Sequence, residues 1–126
     1  MKLDPQKNNV YGALVDYSLI RKMTLDRFKQ GKILRSDICD AQTELMRVAK
    51  NYGIGLKQSC PICNNYQLVY VTYAFGNKIV KSGICITEGS EIYDLTKKAN
   101  ELFLYDIEVC LGCRWNHLMK KSQVKI

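Results

Sequence analysis

Cys60-Pro61-Ile62-Cys63 and Cys110-Leu111-Gly112-Cys113 repeat one spacing, a pair of cysteines separated by two residues. Each pair is a tight turn that aims two sulfurs the same way. Together the turns supply the four soft ligands of a tetrahedral zinc ion, about 2.3 Å from the metal. The spacing therefore predicts one structural zinc held by Cys60, Cys63, Cys110 and Cys113. Four thiolates leave no open position for water or substrate, so the expected ion is not catalytic. Their negative charge needs donors, and backbone N–H groups in the turns are the expected ones. Asn64 suits the left-handed residue such a turn often requires, whereas Arg114, in the equivalent place, suits it less.

Working outward, the stretch from Asn64 to Val109 is longer than the spacer of a simple finger and must carry secondary structure of its own. Gln67 to Phe75 is rich in Val, Tyr and Thr, Gly76-Asn77 follows, and Lys78 to Thr87 resumes. This predicts a β-hairpin with a two-residue turn. Glu88 to Leu102 reads as a helix capped by Ser90, with Ile92, Leu95 and Ala99 on its apolar edge. Phe103, Tyr105, Ile107 and Val109 then alternate with Leu104, Asp106 and Glu108, a half-buried strand that delivers the chain into the second knuckle. Arg114 to Ile126 is expected to be a short strand with a loose basic tail.

Upstream, Met1 to Asn9 is polar and expected to fray. Val10, Ala13, Leu14, Tyr17 and Ile20 recur at helical steps and predict a helix to about Lys29, with a break near Thr24 and a stop at Gly31. Asp40 reads as the N-cap of a helix from Ala41 to Tyr52, with Leu45, Val48, Ala49 and Tyr52 on one side and Gly53 at its end. Helices joined by short turns admit a helix-turn-helix, although such hairpins are common without DNA. Asn51 to Ser59 reads as a connector. The expected fold is α+β: an N-terminal helical segment (1–58) on a zinc-ribbon-like antiparallel sheet with an inserted helix (59–126), packed as one compact unit.

No apolar run reaches the length of a membrane span, and Met1-Lys2-Leu3-Asp4-Pro5 lacks a signal-peptide core. The expectation is a cytoplasmic protein, where thiols stay reduced and six cysteines favour metal over disulfides. Lys and Arg number 19 against 12 acidic residues, a net charge of +7. Four bound thiolates and one divalent ion still leave the molecule basic. That suits RNA, DNA or an acidic protein surface. Arg21, Lys22, Arg27, Lys29, Lys32 and Arg35 crowd together against Asp26 alone, either as a solvated face or as a phosphate-contacting one. Arg114, Trp115, His117, Lys120 and Lys121 form a second candidate contact. A tryptophan beside a knuckle can stack a base or anchor a protein, or it can simply be core. Tyr70, Tyr73 and Phe75 pose the same choice.

Cys39 and Cys85 remain over, and free cysteines are usually small buried hydrophobes. Either is a substitute ligand only if a knuckle cysteine fails. His117 is the only histidine, and with four cysteines at hand it is expected to be structural or a contact residue. No second histidine, paired carboxylates or Gly-rich phosphate loop sets up catalysis. Cys60-Pro61-Ile62-Cys63 as a redox dithiol would need to open a helix after a strand, and its flanks read as a connector and a hairpin instead.

Several stretches together resemble a family of small zinc-ribbon-like proteins of actinobacteria with no assigned function. They are Cys39-Asp40-Ala41 with Glu44-Leu45, Cys60-Pro61-Ile62-Cys63, Tyr73-Ala74-Phe75-Gly76, and Glu108-Val109-Cys110-Leu111-Gly112-Cys113-Arg114-Trp115-Asn116-His117-Leu118. The family's second knuckle ends in Gly where this chain has Arg114. The resemblance implies a bacterial protein with a paired-cysteine metal site, and it brings no activity. The leading functional expectation is a non-enzymatic zinc module that docks on a nucleic-acid machine, RNA polymerase or the ribosome. A protein-interaction adaptor is the alternative, and a thiol or redox enzyme the third.

Overall fold

In the computed structural model, which describes residues 11–124, the chain is an α+β protein with four helices and a six-stranded antiparallel sheet among the described residues. The elements run β1 (Tyr11–Asp16), α1 (Ser18–Lys29), α2 (Arg35–Ile38), α3 (Thr43–Tyr52), β2 (Ile54–Ser59), β3 (Gln67–Gly76), β4 (Ile84–Ile86), α4 (Ser90–Thr96), β5 (Leu102–Val109) and β6 (Asn116–Val124). The strand order is β1-β6-β5-β3-β2, and β4 pairs with β3. The expected polar N-terminus, Met1 to Asn9, lies outside the described residues, as do Val10 and the last two residues of the basic tail.

Two expectations fail at the N-terminal end. Tyr11–Asp16 is a strand, because β6 offers it an antiparallel partner from the far end of the chain, with Leu14 opposite Ser122 and Asp16 opposite Lys120. A short apolar stretch serves either period, and the partner decides. α1 then runs without a break through Thr24, which caps nothing. It ends as expected at Gly31, which adopts φ +75°. There the N–H of Lys32 donates to the Arg27 carbonyl (2.9 Å) and that of Gly31 to Phe28 (3.0 Å), the paired bonds of a Schellman stop.

Five more local readings are corrected. The helix expected from Ala41 begins at Thr43, with Gln42 as its N-cap, and Asp40 does not cap it. Ile54–Ser59, read as a connector, is a strand because β3 pairs with it, Ile54 opposite Tyr70 and Ser59 opposite Gln67. The hairpin exists, with Thr72 opposite Ile86 and Ala74 opposite Ile84. It is closed by the long segment from Asn77 to Gly83 rather than by a two-residue turn. Asn77 is used differently: its side-chain oxygen accepts the N–H groups of Asn100 and Glu101, 2.9 Å each. The predicted helix shrinks to Ser90–Thr96, and β6 is a full strand rather than a short one.

By internal contacts the chain forms two compact units. One comprises Tyr17–Val71 and Ile107–Met119, and its core is Cys60, Leu68, Cys110 and Trp115, with Leu25, Ile38, Leu56 and Ile62 packed on them. Among the described residues, the other takes in Tyr11–Asp16, Thr72–Asp106 and 120–124. Its core is Ala74, Ile86, Ile92, Leu95, Leu102, Leu104 and Val124. In this second unit Thr72 and Asp106 are buried, and the Thr72 hydroxyl donates to the Asp106 carboxylate at 2.6 Å. Gly76 lets the end of β3 approach β5, since a Cβ there would run into the Glu101 carbonyl oxygen. Gly76→Ala should therefore destabilise the protein by about 1–3 kcal/mol, read as a lowered denaturation midpoint. An unchanged midpoint would show that the backbone relaxes freely there.

Candidate metal centre

The first unit is built around its sulfurs. Each Cys-x-x-Cys pair is closed by the same backbone bonds. Asn64 N–H donates to the Cys60 carbonyl (3.1 Å) and Arg114 N–H to the Cys110 carbonyl (3.2 Å). On entry, Cys60 N–H donates to Tyr66 and Cys110 N–H to Trp115, 2.8 Å each. Both turns then pass through a left-handed residue, Asn64 at φ 57° and Arg114 at φ 72°. Arginine is uncommon there, and the conformation costs about 1–2 kcal/mol. It is offset by two contacts to the loop before α3. The Arg114 guanidinium donates to the Ala41 carbonyl (2.8 Å), and the Ala41 N–H donates to the Arg114 carbonyl (3.1 Å). Asp40, freed from capping, accepts from the Asn116 amide at 2.9 Å.

The consequence is a cluster in which the sulfurs of Cys60, Cys63, Cys110 and Cys113 all lie within 4.8 Å of one another. Across the two knuckles, Cys60 and Cys113 are 3.6 Å apart and Cys63 and Cys110 are 3.7 Å apart. An ion bonded to four sulfurs at about 2.3 Å spaces them about 3.8 Å apart, so the donor set fits a tetrahedral metal. Cys60 and Cys110 are wholly buried. Backbone N–H groups aim at the sulfurs, Ile62 at Cys60 and Gly112 and Cys113 at Cys110, 3.4 Å each. Such donors are what a multiply charged thiolate site needs. These four cysteines can hold a metal ion.

The thiols differ in acidity. Burial pushes Cys60 up to about 12 and Cys113 up to about 11, while the Asn65 N–H holds Cys63 down to about 7. With raised values at two ligands, protons compete with a cation across the whole neutral range. Metal affinity should therefore fall as pH falls. Dialysis at pH 5 is expected to strip ion that is retained at pH 7.5, as read by atomic absorption. Equal metal content at both values would show that proton competition at Cys60 and Cys113 does not limit binding in this range.

The other candidate residues separate sharply. Trp115 is fully buried, which removes it as a base-stacking or docking residue and makes it the largest side chain of the metal unit's core. Its indole N–H donates to Glu108 at 2.9 Å. Arg21 is withdrawn from the contact set as well, because Nε and Nη2, one edge of its guanidinium, donate to the two oxygens of the buried Glu108 carboxylate at 2.8 and 3.0 Å. His117 stacks on Trp115, centroids 5.7 Å apart, and lies outside the sulfur cluster. In the second unit Lys120 pairs with Asp106 at 3.6 Å, and Lys121 lies 4.7 Å from the Phe103 ring and 5.5 Å from that of Tyr105. Both lysines are half-buried and engaged. Tyr73 and Phe75 stack on each other, and Phe75 meets Tyr105 edge-on. That leaves Lys22, Arg27, Lys29 and Lys32 exposed on and after α1, with Arg35 opening α2 and Arg114 at the second knuckle.

Two contributors were not legible as such. Glu108 reads as a surface acid in the sequence pattern, yet it is the shared acceptor for Arg21 and Trp115. Cys39, left over in the sequence, has its sulfur 3.6 Å from that of Cys113, across 74 positions of chain. No local signal marks either of them.

The Family of unknown function (DUF5318) is matched by residues 9–124. Among similar proteins are Uncharacterized protein Rv0049 of Mycobacterium tuberculosis and Uncharacterized protein Mb0050 of Mycobacterium bovis. Each is 34% identical over 106 residues, covering 84% of this chain and 77% of the relative. No solved structure matches the chain.

Proposed function

This chain belongs to the DUF5318 family of unknown function, and we propose that it is a non-enzymatic module, held together by one structural zinc, that docks on a nucleic-acid machine such as RNA polymerase or the ribosome. The zinc half of this reading is carried by the four sulfurs at tetrahedral spacing, two of them wholly buried. Zinc is the metal that four thiolates favour in a closed site. Two of the four ligands are inaccessible, which speaks for a stabilising rather than a reactive centre. Among the described residues no helix is long and apolar enough to cross a membrane.

The docking half is supported by Lys22, Arg27, Lys29 and Lys32, which are exposed along α1 and just past its stop. Four phosphate contacts predict a slope of about −3 for log affinity against log salt on single-stranded RNA. The test is capture of partners from native lysate, with and without nuclease and at rising salt. Polymerase or ribosomal components that are lost at high salt, and lost in a Lys22→Glu/Lys29→Glu variant, are the expected result. Capture that ignores salt and nuclease would sink the docking half.

A protein-interaction adaptor is the second reading, and one observation favours it. Leu19, Ile20 and Met23 are exposed on α1 by 68%, 52% and 56%. Loss of a salt-insensitive partner in Leu19→Glu, with the lysine variant unaffected, would make that reading the better one.

A further inference from the structure

Among the described residues, five of the six cysteines gather in the metal unit, one more than a tetrahedral ion can use. The fifth is Cys39, and its position is set by the backbone. The short helix α2 ends on it, with the Cys39 N–H donating to the Arg35 carbonyl at 2.8 Å. Ile38 and Cys39 then pack against the core around Cys60, Cys110 and Trp115. The Cys39 sulfur lies as near Cys113 (3.6 Å) as Cys60 does (3.6 Å), yet it is not one of the four sulfurs that share a common 4.8 Å sphere. It stands beside Cys113 and outside the set of four. The exposed Arg35 side chain is close enough to Cys39 and Cys113 for its positive charge to favour the thiolate of either. Cys39, Cys63 and Cys113 are each partly exposed, whereas Cys60 and Cys110 are sealed; of the three, Cys39 and Cys113 have sulfurs 3.6 Å apart, and Cys39 is not needed for the ion. An oxidant arriving from solvent therefore meets this pair before the buried ligands.

We propose that Cys39 and Cys113 are an oxidation site, a thiol pair that a hydroperoxide converts to a disulfide, withdrawing one of the four metal ligands. This rests on the four-thiolate reading of the cluster. The Cys39 sulfur attacks one peroxide oxygen, the O–O bond breaks, and the departing oxygen takes the thiol proton and leaves as water or alcohol. Cys39 is then a sulfenic acid. The Cys113 thiolate attacks the Cys39 sulfur, the S–S bond forms, and hydroxide leaves. Two electrons pass from the sulfur pair to the peroxide. Cys60, Cys63 and Cys110 remain as three ligands, and binding that needs four is lost. The cost of releasing the ion falls on the same unit whose core it organises, so oxidation loosens that unit.

The experiment uses the full chain as purified, treated with hydrogen peroxide. Metal release is followed with a chromogenic chelator, and the linkage is mapped by peptide mass spectrometry. In the native protein the expected result is ion release in step with a Cys39–Cys113 linkage. Cys39→Ser should keep the metal content of the native protein and release it about tenfold more slowly. Cys85→Ser, which alters a cysteine outside the cluster, should behave as the native protein does. Release from Cys39→Ser at the native rate, or a linkage joining any other pair, would overturn the proposal. If the purified protein carries no metal, the four-thiolate reading fails by itself. The peptide map then still decides the pairing: Cys39–Cys113 supports the oxidation site, and any other pattern overturns it.

Discussion

Cys110→Ser is expected to lose the metal and, with it, the cooperative unfolding of the unit formed by Tyr17–Val71 and Ile107–Met119. Structural zinc in small domains binds with an apparent free energy of about 10–16 kcal/mol, and that energy is folding energy. Shared among four sulfurs, it is about 3 kcal/mol per ligand, more than a hundredfold in affinity. The position adds to the effect. Cys110 is wholly buried beside Cys60, Leu68 and Trp115, and its sulfur accepts the N–H groups of Gly112 and Cys113. A serine hydroxyl is a poor zinc ligand and would leave three charged sulfurs crowded in a dry core. Metal content measured on the purified variant, followed by thermal unfolding with and without added zinc, checks the expectation. Cys85→Ser is the control, since that sulfur belongs to the other unit and donates a long contact to the Ile86 carbonyl at 4.0 Å. Because Cys39 stands close enough to Cys113 to replace a lost ligand, the decisive result is one full equivalent of zinc retained by Cys110→Ser combined with Cys39→Ser, which would refute the four-thiolate site.

Glu108→Ala is the second large effect. The carboxylate is buried, and three hydrogen bonds converge on it, two from Arg21 and one from the Trp115 indole. Removing it strands a guanidinium and a fully buried N–H together. Breaking a buried ion pair from one side costs about 3–5 kcal/mol, and an orphaned buried donor about 1–3 kcal/mol. The Arg21 side chain keeps 25% of its exposure and can swing toward water, which puts the expected total near the lower sum, about 4 kcal/mol. Glu108→Gln should cost less, because the amide oxygen still accepts from Trp115. The two costs separate in a double-mutant cycle with Arg21→Met, which should show a coupling of about 1.5 kcal/mol or more between residues 21 and 108. Additive losses would mean that the pair contributes nothing beyond its parts. A carboxylate placed here also fixes Trp115 over the knuckle, so Glu108→Ala should weaken metal retention about tenfold or more, as partners of a metal site do.

The metal unit could be read from spacing because its chemistry is local. A Cys-x-x-Cys turn needs four consecutive residues and a left-handed residue after them, and Asn64 and Arg114 both adopt that conformation. The stop at Gly31 is local in the same sense. β5 shows where local reading ends. Residues from Leu102 to Val109 alternate acceptably in either direction, and the apolar set Phe103, Tyr105 and Ile107 is the natural guess for the inner face. The structure buries the opposite set, Leu102, Leu104, Asp106 and Glu108. Two acids are tolerable inside only because Thr72 and Lys120 meet Asp106, and Arg21 and Trp115 meet Glu108. Those partners lie far away in the chain, and no window of sequence contains them.

By itself, then, the sequence determined the α+β class, the four sulfurs that can share an ion, the turns that aim them and the helix stop at Gly31, because bond geometry within a few residues suffices for each. Tertiary structure alone decided that Tyr11–Asp16 and Ile54–Ser59 are strands, that Trp115 is core, that Arg21 is spent on Glu108, and that Cys39 stands beside Cys113. Each of these depends on a partner from elsewhere in the chain: a strand edge, a buried acceptor or a second sulfur. Burial makes such partners obligatory, and only folding brings them within reach.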